Sequence, residues 1–267
     1  MIAAVVQMTS TDDVSANLSR SRVLIERAVA GGAKLVALPE NFPFMREEGG
    51  GPNPAAETLD GPMVSFVREQ ARRHGIVLAG GTIPELIPGD TRVYNTSVVA
   101  NADGELVGVY RKIHLFDVDI PGASLEESKG VAPGREVVTA DADCGRLGLS
   151  VCYDLRFPEL YRDLAARDAL ILLVPSAFTV PTGSDHWEVL LRARAIENQA
   201  FVVAAGQYGV HSPKRRSYGR SMIVDPWGLV LTSAPDGEGV SWAELDFERL
   251  QQTRARLPAL RHRRIGI

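Results

Sequence analysis

Apolar residues along this chain change period repeatedly, and each change marks an element. Ile2–Met8 is short, apolar and rich in β-branched residues, which predicts a strand. From Val14 to Ala30 the apolar positions recur at helical spacing until Gly31-Gly32, a pair suited to a helix C-terminus. Leu35–Leu38 reads as a short buried strand and Met63–His74 as a helix. Ile76–Thr82, Tyr94–Asn101 and Leu106–Tyr110 read as successive strands, with an Asp103-Gly104 turn between the last two. Beyond them come a strand at Arg146–Val151, a helix at Pro158–Arg167, a strand at Leu170–Pro175, a helix at His186–Asn198 and a strand at Phe201–Ala205. Ser221–Asp225 and Leu229–Ser233 flank Pro226-Trp227-Gly228 as a hairpin, and Val240–Asp246 is a last strand before a terminal helix. Strands alternating with helices, without a linker or a break in composition, favour one α/β domain over residues 1–267.

Composition narrows the function classes. Of the 267 residues, 45% are hydrophobic, enough for a large core, and the formal net charge of -4 argues against general affinity for nucleic acid. Arg254, Arg256, Arg261, Arg263 and Arg264 concentrate positive charge near the C-terminus. No aromatic residues interleave them for base stacking, so they read as a solvated or subunit-contacting tail. No basic residue precedes the apolar run Ile2–Met8, unlike a signal peptide, and the run Ala169–Val174 is far too short to span a bilayer. The expectation is a cytoplasmic protein with no membrane partner. Two cysteines, Cys144 and Cys152, sit beyond disulfide reach if the chain between them is extended, and the five histidines are too scattered for a zinc site.

Candidate chemistry gathers in three places. Cys152 ends the apolar stretch Gly148–Val151, and Pro158 opens a helix shortly after it. A thiol at a strand-to-helix turn is expected at the exposed edge of a sheet, its pKa lowered by the turn's partial positive charge, with nearby backbone N–H groups facing an oxyanion. The bland alternative is a buried, inert cysteine. Glu40 directly follows Leu35-Val36-Ala37-Leu38-Pro39, where α/β folds place ligands, although a surface or capping glutamate fits as well. Lys112 follows the strand Leu106–Tyr110 and either holds an oxyanion or is simply solvated. His114, two residues on, is the rival catalytic base in a Cys–His pair, and Asp117 and Asp119 are a weak metal signal.

Together, Leu38-Pro39-Glu40-Asn41-Phe42, the segment Tyr110–Asp117 and the segment Val151–Glu159 resemble the Glu–Lys–Cys pattern of the carbon–nitrogen hydrolase (nitrilase-like) superfamily. The resemblance extends through Tyr94-Asn95-Thr96, Glu126-Glu127-Ser128, Pro175-Ser176-Ala177-Phe178, His186–Gln199 and Asp225-Pro226-Trp227-Gly228, almost the whole chain. It implies an α/β fold, a four-layer α-β-β-α sandwich, commonly assembled as a dimer or larger with the C-terminal segment near the subunit contact. It also implies Glu40 as general base, Lys112 and the backbone N–H of Tyr153 as oxyanion stabilisers and Cys152 as nucleophile. Glu127 matches the second glutamate that positions the lysine, with Glu126 the alternative one register away. No metal or organic cofactor is implied.

True nitrilases commonly follow the cysteine with Trp-Glu; Tyr153-Asp154 here points to amides instead. The runs Ser176–Arg194 and Lys214–Gly228 look most like the deaminated glutathione amidase branch, whose substrate yields 2-oxoglutarate and cysteinylglycine. An ω-amidase acting on 2-oxoglutaramate, an N-carbamoyl or aliphatic amidase, and a catalytically silent interaction protein on the same fold remain open. The shared keto-acid half needs a cationic anchor, for which Arg156 is the candidate; an ion pair tying down the helix entrance is its alternative. Phe178 and Thr182, in the loop after Pro175, are candidates to line the acyl pocket or to shape the loop. Trp187, Leu190 and Leu191 read as core, and His211, Lys214, Arg215 and Arg216 as an exposed basic loop.

Overall fold

The apolar runs pair into two six-stranded sheets. In the computed structural model, which describes residues 1–46, 52–120 and 123–265, the first sheet has the order β16 (Gly239–Glu244), β1 (Ile2–Gln7), β2 (Leu35–Ala37), β3 (Val77–Leu86), β4 (Val93–Ala100), β5 (Leu106–Arg111). The second has the order β15 (Val230–Ser233), β14 (Met222–Val224), β11 (Phe201–Ala204), β10 (Ile171–Leu173), β9 (Gly145–Leu149), β8 (Thr139–Ala142). At the centre of each sheet the strands are parallel: β1, β2 and β3 in one, β9, β10 and β11 in the other. Parallel strands are covered on both faces, which accounts for their almost unbroken apolar sequences.

Side-chain alternation assigns the two faces. Ala3, Val5, Leu35, Ala37, Val77 and Ala79 turn inward and share a core with Leu147, Leu149 and Leu173 of the opposite sheet. Their neighbours Ala4, Val6, Val36 and Leu78 turn outward, against Leu24, Ile25 and Ala28 of α1 (Val14–Ala30) and Val64, Val67 and Ala71 of α2 (Pro62–His74). On the far side, α3 (Pro158–Ala166) and α4 (Val180–Asn198) cover the second sheet through Leu160, Leu164, Trp187 and Leu191. The result is the expected α-β-β-α sandwich. The terminal helix, α5 (Phe247–Arg256), follows β16.

Helix ends follow local chemistry. Asp13 caps α1 by accepting the N–H of Ala16 at 2.9 Å, and α1 ends at Gly31. The helix expected from His186 starts a turn and a half earlier, at Val180, with Pro181 in its first turn. Gly183 lies in the first turns of this helix and serves close packing. A Cβ at position 183 would lie 2.4 Å from the Tyr218 ring.

Three short strand segments escape the periodicity reading: the hairpin β6 (Asp117–Ile120) with β7 (Ala123–Glu126), the edge strand β8, and the hairpin β12 (Tyr208–Ser212) with β13 (Arg215–Tyr218). The two hairpins belong to neither large sheet, so no buried face imposes a clean apolar alternation on them. The basic segment around His211 is therefore a hairpin and not an open loop. His211 is buried, its Nδ1 bonded to the carbonyl of Ser10 at 2.9 Å and its Nε2 to Ser217 Oγ at 2.8 Å. Nor is Arg254 part of a solvated tail, because it sits in the last turn of α5 and donates to the carbonyls of Gln199 and Ala169. Cys144 and Cys152 are both buried free thiols. Among the described residues no helix is long and apolar enough to cross a membrane.

Burial pushes the His211 pKa from 6.5 down to about 4, with the nearby Arg215 charge adding to the effect and the Ser10 carbonyl opposing it. The unfolded chain therefore takes up this proton first as pH falls. Stability conferred by the neutral ring is intact above about pH 6.5 and is lost progressively toward pH 4, on the order of 3 kcal/mol in all. Denaturant unfolding at about pH 7 and about pH 4.5 should give a smaller acid-induced loss for His211→Gln than for the parent, by roughly 2 kcal/mol. Equal losses would rule this out.

Candidate active site

Glu40 follows β2, Lys112 follows β5 and Cys152 follows β9, so three segments distant in sequence deliver their side chains to one place. Glu40 is placed by a bulge in β3, whose register against β4 shifts between Ala79 and Thr82. Gly81 there has φ +54, and a Cβ on it would lie 2.0 Å from the carbonyl oxygen of Pro39, so only glycine lets the strand pass so close. Thr82 Oγ1 then accepts the N–H of Asn41 at 2.8 Å, and Gln207 Nε2 donates to the carbonyl of Glu40 at 3.0 Å. Lys112 is held by its own backbone: its N–H donates to the carbonyl of Asn95 at 2.9 Å, and its carbonyl accepts from Gly134 at 2.8 Å.

The cysteine turn is tighter still. Cys152 has φ +48, a left-handed conformation that non-glycine residues seldom adopt, and its N–H donates to the carbonyl of Pro175 at 3.0 Å. A 3-10 turn over Cys152–Arg156 leads to α3. Asp154, wholly buried, anchors this turn to the lysine segment. Its Oδ2 accepts the N–H of Val151 at 2.8 Å and the hydroxyl of Tyr110 at 2.7 Å. Its Oδ1 accepts the N–H of His114 at 3.0 Å and meets His114 Nδ1 at 2.7 Å. Among the described residues no carbonyl pairs with the N–H of Tyr153, as befits a first-turn donor.

The side chains converge as the sequence led us to expect. Lys112 Nζ donates to Glu40 Oε1 at 3.1 Å and to Glu127 Oε1 and Oε2 at 3.0 and 2.8 Å. Glu40 Oε2 accepts the N–H of Ala177 at 2.8 Å, and the charges of Glu40 and Lys112 both act on the buried Cys152 thiol. Glu127 is fixed by the N–H of Phe116, 2.7 Å from its Oε2. Glu126, the neighbouring alternative, lies exposed and pairs with Lys129 instead. Asn95 Nδ2 bridges the two carboxylates, at 2.9 Å from Glu40 Oε1 and 3.3 Å from Glu127 Oε1.

Two expectations about the cysteine are corrected. It is not exposed at the edge, being only 7% accessible, and its pKa is raised well above the usual value instead of lowered. Burial is the main cause and the Glu40 charge the next, with the Lys112 charge acting the other way. The resting group is thus a neutral thiol beside a carboxylate. For Lys112, burial works against the ammonium, but Glu127, Glu40 and Cys152 outweigh it and hold the pKa well above normal.

A cavity of about 20 Å³ opens on Cys152 between Phe116, Tyr153, Ala177, Phe178, Thr179 and Thr182. Phe178 and Thr182 therefore do face the thiol, though Thr182 belongs to the first turn of α4 and not to a loop. Arg156 is not in the lining. Its guanidinium lies over the rings of Phe178 and Tyr153, 5.6 and 5.9 Å from their centroids, and contacts His186. The alternative ion pair at the helix entrance does not form among the described residues. A larger recess of about 500 Å³, lined by Arg92, Tyr94, Arg111 and Arg135 among others, includes none of the three convergent side chains. His114, the rival base, is turned toward Asp154 and stacked on Phe157 with ring centroids 3.7 Å apart. Trp187, Leu190 and Leu191 pack into the core as expected. The sequence reading gave Asn95 and Asp154 no role. The available hints were an asparagine, a residue type strands disfavour, inside a predicted strand, and an acid two residues past the cysteine.

The carbon–nitrogen hydrolase family profile matches residues 2–255. The deaminated glutathione amidase of Dictyostelium discoideum is 44% identical, over 97% of this chain and 92% of that protein. The omega-amidase NIT3 of Saccharomyces cerevisiae is 40% identical, over 99% of this chain and 93% of that protein. The crystal structure of Saccharomyces cerevisiae Nit3, a nitrilase-superfamily member, superposes with a TM-score of 0.87, covering 99% of this chain and 97% of that one at 36% identity. An amidase from Nesterenkonia sp. AN1, solved with acrylamide added to its active-site cysteine, matches with a TM-score of 0.78 and 30% identity over 97% of this chain and 98% of that one. With this fold and a match along nearly its full length, the chain belongs to the carbon–nitrogen hydrolase family. It is a hydrolase of carbon–nitrogen bonds other than peptide bonds.

Asp154 accepts four hydrogen bonds without solvent contact, so Asp154→Ala strands several buried donors at once. Chemical denaturation should register a loss of about 3 kcal/mol or more. A loss under about 1 kcal/mol would mean the anchor is dispensable.

Proposed function

We propose that this chain is a cysteine-dependent amidase that cleaves deaminated glutathione to 2-oxoglutarate and cysteinylglycine through a thioester. The observation that carries the reading is the buried cluster in which Lys112 Nζ donates to Glu40 and Glu127, while Ala177, which lines the same cavity as Cys152, donates its N–H to Glu40. Cys152 Sγ attacks the amide carbonyl as its proton passes to Glu40. The carbonyl electrons move onto oxygen, where Lys112 and the N–H of Tyr153 stabilise the oxyanion. Glu40 then protonates the departing nitrogen as the C–N bond breaks. Finally it takes a proton from water, whose oxygen attacks the thioester and releases the keto acid and the thiol. Glu127 holds Lys112 in place throughout. No metal or organic cofactor enters these steps.

Substrate choice rests on the full-length similarity to deaminated glutathione amidases, and on Arg156 as anchor for the keto-acid carboxylate. The cavity beside Cys152 holds about one water, so binding the acyl half requires the rings of Phe116, Tyr153 and Phe178 to shift. The second reading, ω-amidase activity on 2-oxoglutaramate, is favoured by the similarity to yeast NIT3 and needs the same acyl pocket. A cytoplasmic homodimer completes the proposal. Val189 and Ile196 on α4, with Trp227 and Leu229 beside it, are exposed apolar side chains that such a contact would cover.

Comparing kcat/KM on deaminated glutathione and 2-oxoglutaramate should give a clear preference for the former; the reverse order establishes the ω-amidase instead. Cys152→Ala should abolish turnover with the fold retained, and Lys112→Ala should lower kcat by ~100-fold or more. Near-normal kcat for Lys112→Ala would remove it from the oxyanion role. Loss of activity in a folded His114→Ala protein, with Glu40→Gln still active, would transfer the base to the histidine.

A further inference from the structure

Glu40 and Glu127 both bring their Oε1 atoms to the Lys112 ammonium, and one ammonium cannot neutralise two carboxylates. Left alone, such a pair would relieve its repulsion by sharing a proton or by rotating one group away. The neutral amide of Asn95 prevents both. It is 5% accessible and sits in β4, directly opposite the β3 segment that follows the Gly81 bulge. Its Nδ2 carries two hydrogens and points one toward each Oε1. The opposite amide orientation would set Oδ1 against two anionic oxygens. In the observed one Oδ1 is buried with no hydrogen-bond partner, a cost accepted for the contacts on the other side.

We infer that Asn95 is a positioning residue that fixes which oxygen of Glu40 does the proton transfer. Oε1 of Glu40 accepts from both Asn95 and Lys112, whereas Oε2 accepts the N–H of Ala177 alone, a residue that lines the same cavity as Cys152. Oε2 is therefore the atom left to take the thiol proton and to return it to nitrogen. Because Asn95 is uncharged, it restrains Glu40 without drawing off the negative charge that makes it a base. This inference rests on Glu40 acting as base in the proposed reaction. Its effect is on rate and pH dependence, with little on substrate affinity, since Asn95 does not line the cavity beside Cys152.

The test measures kcat, KM and the pH profile of kcat/KM with 2-oxoglutaramate and deaminated glutathione for Asn95→Leu, Asn95→Asp and, in parallel, Glu40→Gln. Asn95→Leu removes the bridging donor at similar volume; Asn95→Asp changes one atom and adds a third acid, and serves alone if the leucine variant does not fold. The expected result is a fall in kcat of at least ~10-fold with KM changed less than about threefold, and for Asn95→Asp an acidic limb displaced upward by about one pH unit. Folded variants with parental kcat and an unmoved acidic limb, while Glu40→Gln is inactive, overturn the role of Asn95 and leave Glu40 as base. An active Glu40→Gln enzyme instead overturns the base assignment itself.

Discussion

Lys112 has almost no contact with solvent, and an ammonium in that position is untenable without anionic partners. Removing it from water costs several kcal/mol, while a single ion pair at roughly 3 Å returns about 5 kcal/mol at an effective dielectric near 20. One carboxylate would roughly balance the burial; Glu40 and Glu127 together more than balance it and hold the lysine charged. The second carboxylate has a consequence for the chemistry. Burial already disfavours a thiolate at Cys152, the cluster's surplus negative charge would make it a second anion, and the thiol stays protonated. Activation must then come at the moment of attack. In the proposed reaction Glu40 loses its charge as it takes the proton, the oxyanion acquires one, and the total is unchanged. Lys112 can pass from a neutralised carboxylate to the new anion with little reorganisation, the condition under which buried charges catalyse well.

The fold has to bring this cluster together from both sheets. Glu40 and Lys112 come from one, Cys152 and Ala177 from the other, and the inner faces between them are filled by small and branched side chains such as Ala3, Ala37, Ala79 and Leu149. Three local devices supply the precision that packing alone does not. The Gly81 bulge lets Pro39 pass within contact of β3. The left-handed turn at Cys152 aims the thiol, and Asp154 ties that turn to Tyr110 and His114 across the sandwich. The Asp154 contacts also explain why His114, two residues after Lys112, has its ring nitrogen committed away from the thiol.

How much of this the sequence revealed depended on whether a residue's neighbours imposed a pattern. Val14–Ala30 was legible to the residue because an apolar stripe and a terminal glycine pair agree, and the structure adds an Asp13 cap at its start. Glu40, Lys112 and Cys152 were legible because each closes an apolar strand and because the three motifs occur together. The hairpins at 117–126 and 208–218 were not, since a ribbon outside the large sheets needs no buried face. The thiol's raised pKa and the burial of His211 were misjudged for one reason: both are set by what lies across the fold. Ser10, Glu40 and Ser217 approach these groups from distant segments, and no local motif announces them. Asn95 and Asp154 went unassigned because their partners too are remote in sequence.

The surplus negative charge at the cluster also bears on what can bind there. A keto acid carries a carboxylate, and a site with net negative charge at its floor repels it unless a cation stands at the other end of the acyl chain. In the proposed reading Arg156 takes that part: it lies over Phe178 and Tyr153, which line the cavity, and has no carboxylate partner among the described residues. Aromatic faces support a guanidinium without neutralising it, so its charge remains available to an incoming anion. A neutral aliphatic amide would gain nothing from this arrangement, whereas a keto-acid amide whose reacting carbonyl meets Cys152 as its carboxylate meets Arg156 gains at both ends. On the proposed reading, the floor that adds to the protonation of the thiol would also favour a substrate that brings its own negative charge to the far side.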